Sequence, residues 1–311
     1  MVKREDFLAN EVVDLREEIK LVSPTDTPLT TLIMGRGQVV PATDITVTWR
    51  EKQLNEQRGT LKKEGAEAGT PIQSTRSSLS NLCQITEKVT QVSGTAQALN
   101  PKGIGNSFQS EVNDRLIETK RDMEWYFLNG TKQVEDDTHP RQMNGLMNMI
   151  FAGTAEKEYA DSNVIDATGK TFSEDMILDG MQKMWDAGAQ GEYFAFVNAS
   201  VKRLVNGLLK NGVNVKVDID ESMAQVLGIT VAKIQSDFGV INLVLDRHMA
   251  TDAFLAVDLD CVEIAELRGT FYEDLPKSGD YFKGHILNES TIKLLNSHAG
   301  MKIVNIGKTQ G

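Results

Sequence analysis

The stretch "WREKQLNEQRGTLKKEGAEAGTPIQSTRSS", from Trp49 to Ser78, decides the fold of this chain because it contains almost nothing to bury. Its sizeable apolar side chains are Trp49, Leu54, Leu61 and Ile72. It lies between two segments that alternate as β-strands do, "DITVTWR" and "NLCQITEKVTQV". A polar segment of about thirty residues is uncommon inside a compact domain and is usually functional or disordered. We therefore predict a long hairpin, with the two strands at its base and the polar segment at its far end.

Both base strands carry apolar residues at every second position, which is typical of strands with one buried face. These positions are Ile45, Val47 and Trp49 in the first strand and Cys83, Ile85 and Val89 in the second. We expect them on the buried face of each strand.

Charged residues of both signs are interspersed along the polar segment. They include Arg50, Lys52, Glu56, Arg58, Lys62, Lys63, Glu64 and Glu67. Mixed charges on an extended hairpin suit a surface that meets complementary charges on a neighbouring copy of the chain. Such a contact joins two different surfaces, and repeated contacts of this kind close into rings or shells. We therefore take these residues as candidates for contacts between subunits.

The strongest helix pattern covers residues 107–128, "SFQSEVNDRLIETKRDMEWYFL". Apolar side chains recur every three or four residues and so lie in one stripe along this helix. The packing positions predicted from this stripe are Phe108, Val112, Leu116 and Met123. Asn106 and Gln109 suit a capping box at its start, and Gly130 suits its end.

The region from 171 to 260 alternates between helix and strand patterns. After the helix "SEDMILDGMQKMWDAG" come the strand "EYFAFVN", the helix "ASVKRLVNGLLKNG" and the strands "VLGITVAKI", "VINLVL" and "AFLAVD". This order predicts a mixed α+β domain. Further on, "STIKLLNSHAGMKIVNI" predicts a hairpin around the turn "NSHAG".

The N-terminal region combines a helix pattern with a connector. Residues 1–22 are amphipathic at helical spacing. The following "SPTDTPLTTLIMGRG" contains two prolines and two glycines, so we expect an extended connector there. Leu29, Leu32 and Ile33 are its expected anchors.

Composition excludes several classes of protein. The 311 residues are 40% hydrophobic and 25% charged, which is ordinary for a globular protein with one large or two modest domains. A net charge of −11 argues against a dedicated nucleic-acid-binding module. Cys83 and Cys261 are too few for a disulfide framework, and we expect reduced, buried thiols. No apolar run approaches the ~20 residues of a membrane helix, so we expect a cytoplasmic protein without a membrane partner.

No catalytic, metal-binding or cofactor-binding motif is recognisable. The four histidines, His139, His248, His285 and His298, lack metal-ligand spacing. The acidic groups "EDD" (135–137) and "VDIDES" (217–222) read as solvated loop residues. The glycines of "PKGIGNSF" lack the lysine of a phosphate-binding loop. An enzyme with a metal or carboxylate site assembled from distant residues is kept as a minor alternative.

Five stretches in order give the chain a family resemblance. They are "SPTDTPLTTLIMGRG", "TEKVTQVSGTAQALNPKGIGNSF", "ETKRDMEWYFLNG", "SDFGVINLVLDRHMATDAFLAVD" and "LPKSGDYFKGHILNESTIKLLNSHAG". In order and coverage they resemble the major capsid proteins of tailed bacteriophages with the Hong Kong 97 type fold. They run from residue 23 to about residue 300, although each is a weak pattern alone.

This resemblance implies an α+β fold whose parts have known places in a shell. They are an N-terminal arm (1–40), an extended loop hairpin (41–92), a peripheral domain (93–170 and 261–311) with a spine helix (107–128), and an axial domain (171–260). The loop of the family lies over an adjacent subunit. That would explain why the polar segment buries so little within its own chain.

The resemblance also implies a function and partners. Subunits would gather into pentamers and hexamers that form an icosahedral shell around double-stranded DNA, without sequence-specific contacts to it. Portal and decoration proteins would join the shell, which would mature from a procapsid. Since the arm starts at or near Met1, a separate scaffolding protein is expected. An encapsulin-like compartment is the alternative within the same fold.

Some members of the family cross-link a loop lysine to an asparagine of a neighbour. The lysines available here are Lys52, Lys62 and Lys63, and the asparagines are Asn288 and Asn296. No local signature marks any of them as a reactive pair, so we expect no cross-link.

Overall fold

The structure, a computed structural model, describes residues 26–54, 61–69, 71, 73–99, 107–150, 163–186, 188–189, 192–211, 231–277 and 279–307. The helices in these ranges are α1 (Pro28–Gly35), α2 (Gly94–Ala98), α3 (Ser107–Asn129), α4 (Leu146–Met149), α5 (Glu174–Asp186) and α6 (Ala199–Asn211). The first six strands are β1 (Val39–Pro41), β2 (Thr46–Gln53), β3 (Thr75–Leu82), β4 (Gln84–Ser93), β5 (Asn163–Asp166) and β6 (Glu192–Val197). The others are β7 (Val231–Ser236), β8 (Gly239–Leu245), β9 (Phe254–Asp258), β10 (Val262–Asp274), β11 (Tyr281–Leu294) and β12 (Gly300–Val304).

The strands form three sheets. Their orders are β1-β10-β11-β4, β5-β12-β9-β6-β8-β7, and the pair β2-β3. The chain divides into two compact units. The first holds the described residues 26, 86–123 and 269–288, and the second holds those of 27–85, 124–268 and 289–307. None of the described helices is both long and apolar enough to cross a bilayer.

The six-stranded sheet lies entirely in the second unit. Four of its strands, β6 to β9, come from the region 171–260 that was predicted to mix helices and strands, whereas β5 and β12 come from outside it. Strand β6 pairs in parallel with β8 and antiparallel with β9. Its apolar run from Tyr193 to Val197 is buried because strands in the middle of a covered sheet are enclosed on both faces. Helices α5 and α6 contribute Ile177, Met181 and Val201 to the same core.

The C-terminal strands do not form the predicted hairpin. Strand β11 lies between β10 and β4, whereas β12 lies between β5 and β9 in the other sheet. The turn "NSHAG" does exist, since the backbone N–H of Ala299 donates to the Asn296 carbonyl at 3.0 Å. After the turn, Gly300 pairs with Val257 instead of with β11. A β-carbon at Gly300 would lie 2.6 Å from Ile150 Cδ1, so glycine permits this close approach.

The inward face of β4 is opposite to the one predicted. Thr86, Thr90 and Val92 are buried, while Ile85 and Val89 are 43% and 46% exposed. The reason is a change of phase where β3 passes into β4, because every residue from Asn81 to Gln84 is buried. A shift of one residue moves all following side chains to the other face of a strand.

The stretch "SPTDTPLTTLIMGRG" is helical at α1 rather than extended. Proline fits the first turn of a helix, where its missing N–H would have had no intrahelical partner. The predicted anchors are correct, since Leu29 and Ile33 are fully buried and Leu32 is nearly so. The helix predicted over residues 1–22 lies outside the described residues.

Helix α3 confirms the helix predicted over 107–128 to within one residue at its end. Near its C-terminus Met123, Phe127 and Leu128 are buried. Gly130 follows this helix, as predicted. Glycine is needed at this position for a reason other than ending the helix. A β-carbon there would lie 2.6 Å from the Tyr126 carbonyl oxygen, so the position requires a close backbone approach.

Candidate interaction surface

The polar segment is carried by a regular antiparallel hairpin, but its second strand is not the predicted one. The partner of β2 is β3, whereas most of the predicted "NLCQITEKVTQV" forms β4, which pairs with β11 in another sheet. Strands β2 and β3 pair in register from Thr46 opposite Leu82 to Gln53 opposite Thr75. A two-stranded hairpin is marginal in water unless its base packs on something else. The contacts that side chains at its base make with other segments therefore stabilise the β2–β3 hairpin.

Two side chains on one face of β2 form hydrogen bonds with the end of β11 and with the turn that follows it. The indole Nε1–H of Trp49 donates to the Leu294 carbonyl at 2.9 Å. Two residues on, the Glu51 carboxylate accepts from the backbone N–H of Ser297 at 2.5 Å and from its hydroxyl at 3.0 Å. Residues 49 and 51 share a face because side chains alternate along a strand. We call Trp49 and Glu51 with these partners the hairpin clamp.

Asn81 holds the other strand of the hairpin. Its amide nitrogen donates to the Asn144 carbonyl at 3.0 Å and to the Ile292 carbonyl at 2.8 Å. Its side-chain oxygen accepts from the backbone N–H groups of Asn144 and Leu82 at 2.8 and 2.9 Å. The side chain is fully buried, and these four bonds satisfy its whole hydrogen-bonding capacity.

A buried carboxylate lies next to the hairpin base. Glu289 accepts from Arg268 Nε at 2.6 Å and also contacts Arg141 Nη2. Arg141 Nε donates in turn to the Cys83 carbonyl at 2.8 Å. Because Glu289 is buried between two guanidinium groups, its charge is compensated and the loop that carries Arg141 is fixed.

The opposite face of β2 and the far end of the hairpin are exposed. Arg50 and Lys52 point away from the clamp and are exposed. Leu54 is 73% and Leu61 101% exposed, so even the apolar residues of the segment bury little in the single chain.

The candidate residues 61–69 form a short turn with every side chain exposed. The backbone N–H of Ala66 donates to the Lys63 carbonyl at 3.1 Å, and Gly65 has a φ of 77°, which glycine adopts without strain. Lys62 Nζ donates to the Glu67 carbonyl at 2.7 Å. Lys62, Lys63, Glu64 and Glu67 therefore lie close together on the turn. Glu56 and Arg58 lie outside the described residues.

The four predicted spine-helix positions differ in burial. Met123 is 3% exposed, whereas Phe108, Val112 and Leu116 are half-buried in the single chain. In the first unit the Phe108 ring lies 6.4 Å from that of Tyr272 and 6.1 Å from that of Phe282, measured between centroids.

Other groups singled out in the sequence carry no assembled chemistry in the described part of the chain. No three His, Cys, Asp or Glu side chains there are placed to hold a metal ion. Both cysteines are free; Cys83 is buried as predicted and Cys261 is half-buried. Burial raises the pKa of each thiol to about 11. Residues 135–137 are exposed loop acids as predicted, and "VDIDES" lies outside the described ranges.

Sequence reasoning missed Glu124, a fully buried carboxylate on α3. It accepts hydrogen bonds from the first turn of α1, including the Leu29 N–H at 2.6 Å. A signal was present, because Glu124 precedes the buried Phe127 and Leu128 by three and four residues and so shares their face.

The sequence profile of the family described as SU10 major capsid protein matches residues 3–307. The chain belongs to this family. The capsid protein is therefore a structural component of a tailed-phage virion and not an enzyme. The alternative of an enzyme with a dispersed site is thereby set aside.

Relatives and solved structures agree with this assignment. The major capsid protein of Escherichia phage Phieco32 is 23% identical over an alignment that covers 93% of each chain. The Cyanophage A-1(L) capsid asymmetric unit superposes with a TM-score of 0.71 at 14% identity, covering 98% of each chain. The holo-SrpI encapsulin complex from Synechococcus elongatus PCC 7942 gives a TM-score of 0.61 at 10% identity, covering 97% of this chain and 96% of that one.

The two structural similarities confirm the predicted Hong Kong 97 type fold. They do not separate a capsid from an encapsulin compartment, since both share this fold. The family match decides in favour of the capsid.

Proposed function

We propose that this capsid protein assembles into pentamers and hexamers that close an icosahedral shell around double-stranded DNA, with the hairpin of each subunit lying over its neighbour. The observation that carries the proposal is the contrast within the hairpin. Its base is fixed by the hairpin clamp and by Asn81, whereas residues 61–69 are entirely exposed. A rigidly held base with an uncovered tip is suited to reach a second subunit.

The charges of the tip suit such a contact better than a fold-stabilising role. Among the described residues, Lys63, Glu64 and Glu67 form no salt bridge within their own chain. Complementary charges on a neighbour would fix the register of the contact and disfavour wrong partners.

We assign the parts of the chain accordingly. The arm is residues 1–40, the extended loop 41–92, the peripheral domain 93–170 and 261–311 with the spine helix 107–128, and the axial domain 171–260. Separate scaffolding, portal and decoration proteins complete the particle, and assembly takes place in the cytoplasm of a bacterial host. The net charge of −11 suits the wall of a capsid, because an acidic surface repels DNA and does not retain it.

Reversal of three loop charges tests the role of the hairpin. We expect the variant R50E/K62E/K63E to fold normally and to lose most shell formation, because like charges would then meet at the contact. The matched control R50K/K62R/K63R keeps every charge and should assemble. Circular dichroism and negative-stain microscopy would measure the two outcomes. If the charge-reversed variant formed normal shells, the proposed contact between the hairpin and a neighbouring subunit would be refuted.

Particle mass tests the assembly itself. Light scattering after size exclusion should find rings of five or six 34.4 kDa subunits, or closed shells. The measurement is repeated with the scaffolding protein supplied. A protein that stays monomeric under both conditions would refute the proposed assembly.

A further inference from the structure

Two neighbouring aromatic side chains of the second unit, Trp185 and Phe238, form what we call the aromatic pair. Trp185 lies in the last turn of α5 and is 52% exposed. Its ring centroid lies 6.3 Å from that of Phe238, which is half-buried in the turn between β7 and β8. The backbone N–H of Phe238 donates to the Ser236 hydroxyl at 3.2 Å, and this bond holds the turn. An exposed tryptophan on a fixed support is typical of protein interfaces.

Helix α6 carries a glycine that its own subunit does not require. Arg203 and Leu204 are exposed, and Gly207 follows them by four and three residues, so the three positions share one side of the helix. Glycine is a poor residue for the middle of a helix, because its backbone loses the most freedom on folding. Apart from the helix's own backbone, a β-carbon at Gly207 would meet no atom of the described chain within 4 Å. We call these three residues the α6 surface.

The α6 surface has the properties of a binding site for an aromatic ring. A glycine on an exposed helix side lets another molecule approach the helix backbone closely. The guanidinium group of Arg203 can stack on the face of a tryptophan ring, since that face is negative. Leu204 is 46% exposed and adds apolar contact beside it.

The charges that accompany the two surfaces are opposite in sign. One exposed carboxylate is adjacent in sequence to each member of the aromatic pair, namely Asp186 and Asp237. The cation in the last turn of α5, Lys183, precedes Trp185 by two residues and so lies on the opposite side of that helix. Helix α6 has no acidic residue, and its Arg203 is exposed. Within the described residues, neither these two carboxylates nor this guanidinium forms an ion pair, so all three are available to a partner.

We propose that the aromatic pair of one subunit docks on the α6 surface of a neighbouring copy. This inference rests on the proposed assembly and adds a second contact to that of the hairpin. Trp185 would lie over Gly207, with the Arg203 guanidinium stacked on the indole. The same guanidinium would pair with the carboxylates beside the aromatic pair. Because the contact joins two different surfaces, each subunit offers one and receives one, as a closed ring requires.

Substitution of the glycine separates this contact from the fold of the subunit. Leucine favours helices, so the free subunit of G207L should unfold at a temperature no lower than that of the wild type. Under conditions in which the wild type forms rings or shells, light scattering should find a critical concentration for assembly at least about tenfold higher for G207L. The matched control N206L adds the same side chain at an exposed position about 100° around α6, and it should assemble as the wild type does.

Exchange of the charges tests which two surfaces meet. R203D would bring like charges together and should raise the critical concentration at least about tenfold. The triple variant R203D/D186R/D237R restores opposite charges across the contact and should return to within about threefold of the wild type. W185A keeps every charge but removes the indole, and it should impair assembly at least about tenfold.

Failure of this contact can be distinguished from failure of the proposed assembly. If the wild type stays monomeric even with the scaffolding protein supplied, the proposed function is wrong and this contact is overturned as well. If the wild type assembles and G207L assembles equally well, or if N206L is impaired as much as G207L, only the contact is overturned. If G207L does not fold, the charge exchange decides, because a triple variant no better than R203D would overturn the pairing of these surfaces.

Discussion

At the scale of single residues, Asn81 shows how a buried polar side chain can fix a hairpin. Three of its four hydrogen bonds join strand β3 to backbone groups of Asn144 and Ile292. The fourth is accepted from the backbone N–H of Leu82 in the same strand. Such a side chain is difficult to replace, because each backbone group that it satisfies is itself buried and has no access to water.

We expect N81A to lower the free energy of unfolding by about 2–4 kcal/mol, because several backbone groups would lose their partners. Urea denaturation of the unassembled subunit would measure the loss. N113A is the matched control, since Asn113 lies exposed on α3 and should change stability by less than about 0.5 kcal/mol. Equal stabilities of the two variants would contradict the role given to Asn81.

At the scale of secondary-structure elements, the end of α3 carries two neighbouring aromatic residues with different environments. Phe127 is fully buried, whereas Trp125 is 43% exposed and stacks edge-on against Tyr126. The helix therefore offers a direct comparison of a core position with a surface position.

F127A should destabilise the subunit by about 3–5 kcal/mol through loss of buried contacts and creation of a cavity. W125A should cost about 1 kcal/mol or less, because nearly half of its surface is already in water. Thermal unfolding of both variants would test this order. A larger loss for W125A would show that the burial assigned to α3 is wrong.

The hairpin clamp belongs to the same scale, because alternation along β2 places Trp49 and Glu51 on one face and Arg50 and Lys52 on the other. The double variant W49F/E51Q removes the indole donor and weakens the carboxylate contact to Ser297. We expect amide exchange across 46–53 to accelerate at least about tenfold, equivalent to roughly 1.4 kcal/mol of local stability.

The matched control for the clamp is R50Q/K52Q, which alters the exposed face of the same strand. Its exchange across 46–53 should equal that of the wild type. If both double variants exchange alike, the hairpin base is held by other contacts.

At the scale of the whole molecule, protease cleavage of the loop can report whether the subunits have assembled. In the free subunit Lys62 and Lys63 are exposed on a short turn and are open to trypsin. Since subunits associate in a capsid, coverage of the loop by a neighbour should protect this turn.

We expect cleavage after Lys62 and Lys63 to be at least about tenfold slower in shells than in free subunits, since a covered loop must open locally before it is cut. Mass spectrometry of the fragments would locate the cuts. Shells dissociated by mild denaturant should regain the fast rate. Equally fast cleavage of this turn in intact shells would place the loop in solvent and not over a neighbour.

Some features could be predicted from the sequence because they depend on local pattern alone. The period of apolar residues in α3 and the helix–strand order of 171–260 report which side chains share a face. The exposure of the polar segment was predictable for the same reason, since a segment with few apolar side chains has little to bury in any fold.

Other features depend on partners that are distant in the chain. The period of β4 is visible in the sequence, but the face that becomes buried follows from the phase change at Cys83. The burial of Glu124 depends on α1, almost a hundred residues away, whose first turn supplies its hydrogen-bond donors. Strands β11 and β12 lie in different sheets because β12 pairs with β5 and β9, which are distant in the chain.

By itself the sequence determined most of the described helices and strands and the exposure of the polar segment, because side-chain spacing and polarity act within a few residues. Only the tertiary structure decided which faces are buried, which strands are neighbours and where a carboxylate can be held away from water. These outcomes depend on contacts between segments far apart in the chain, which no local pattern encodes.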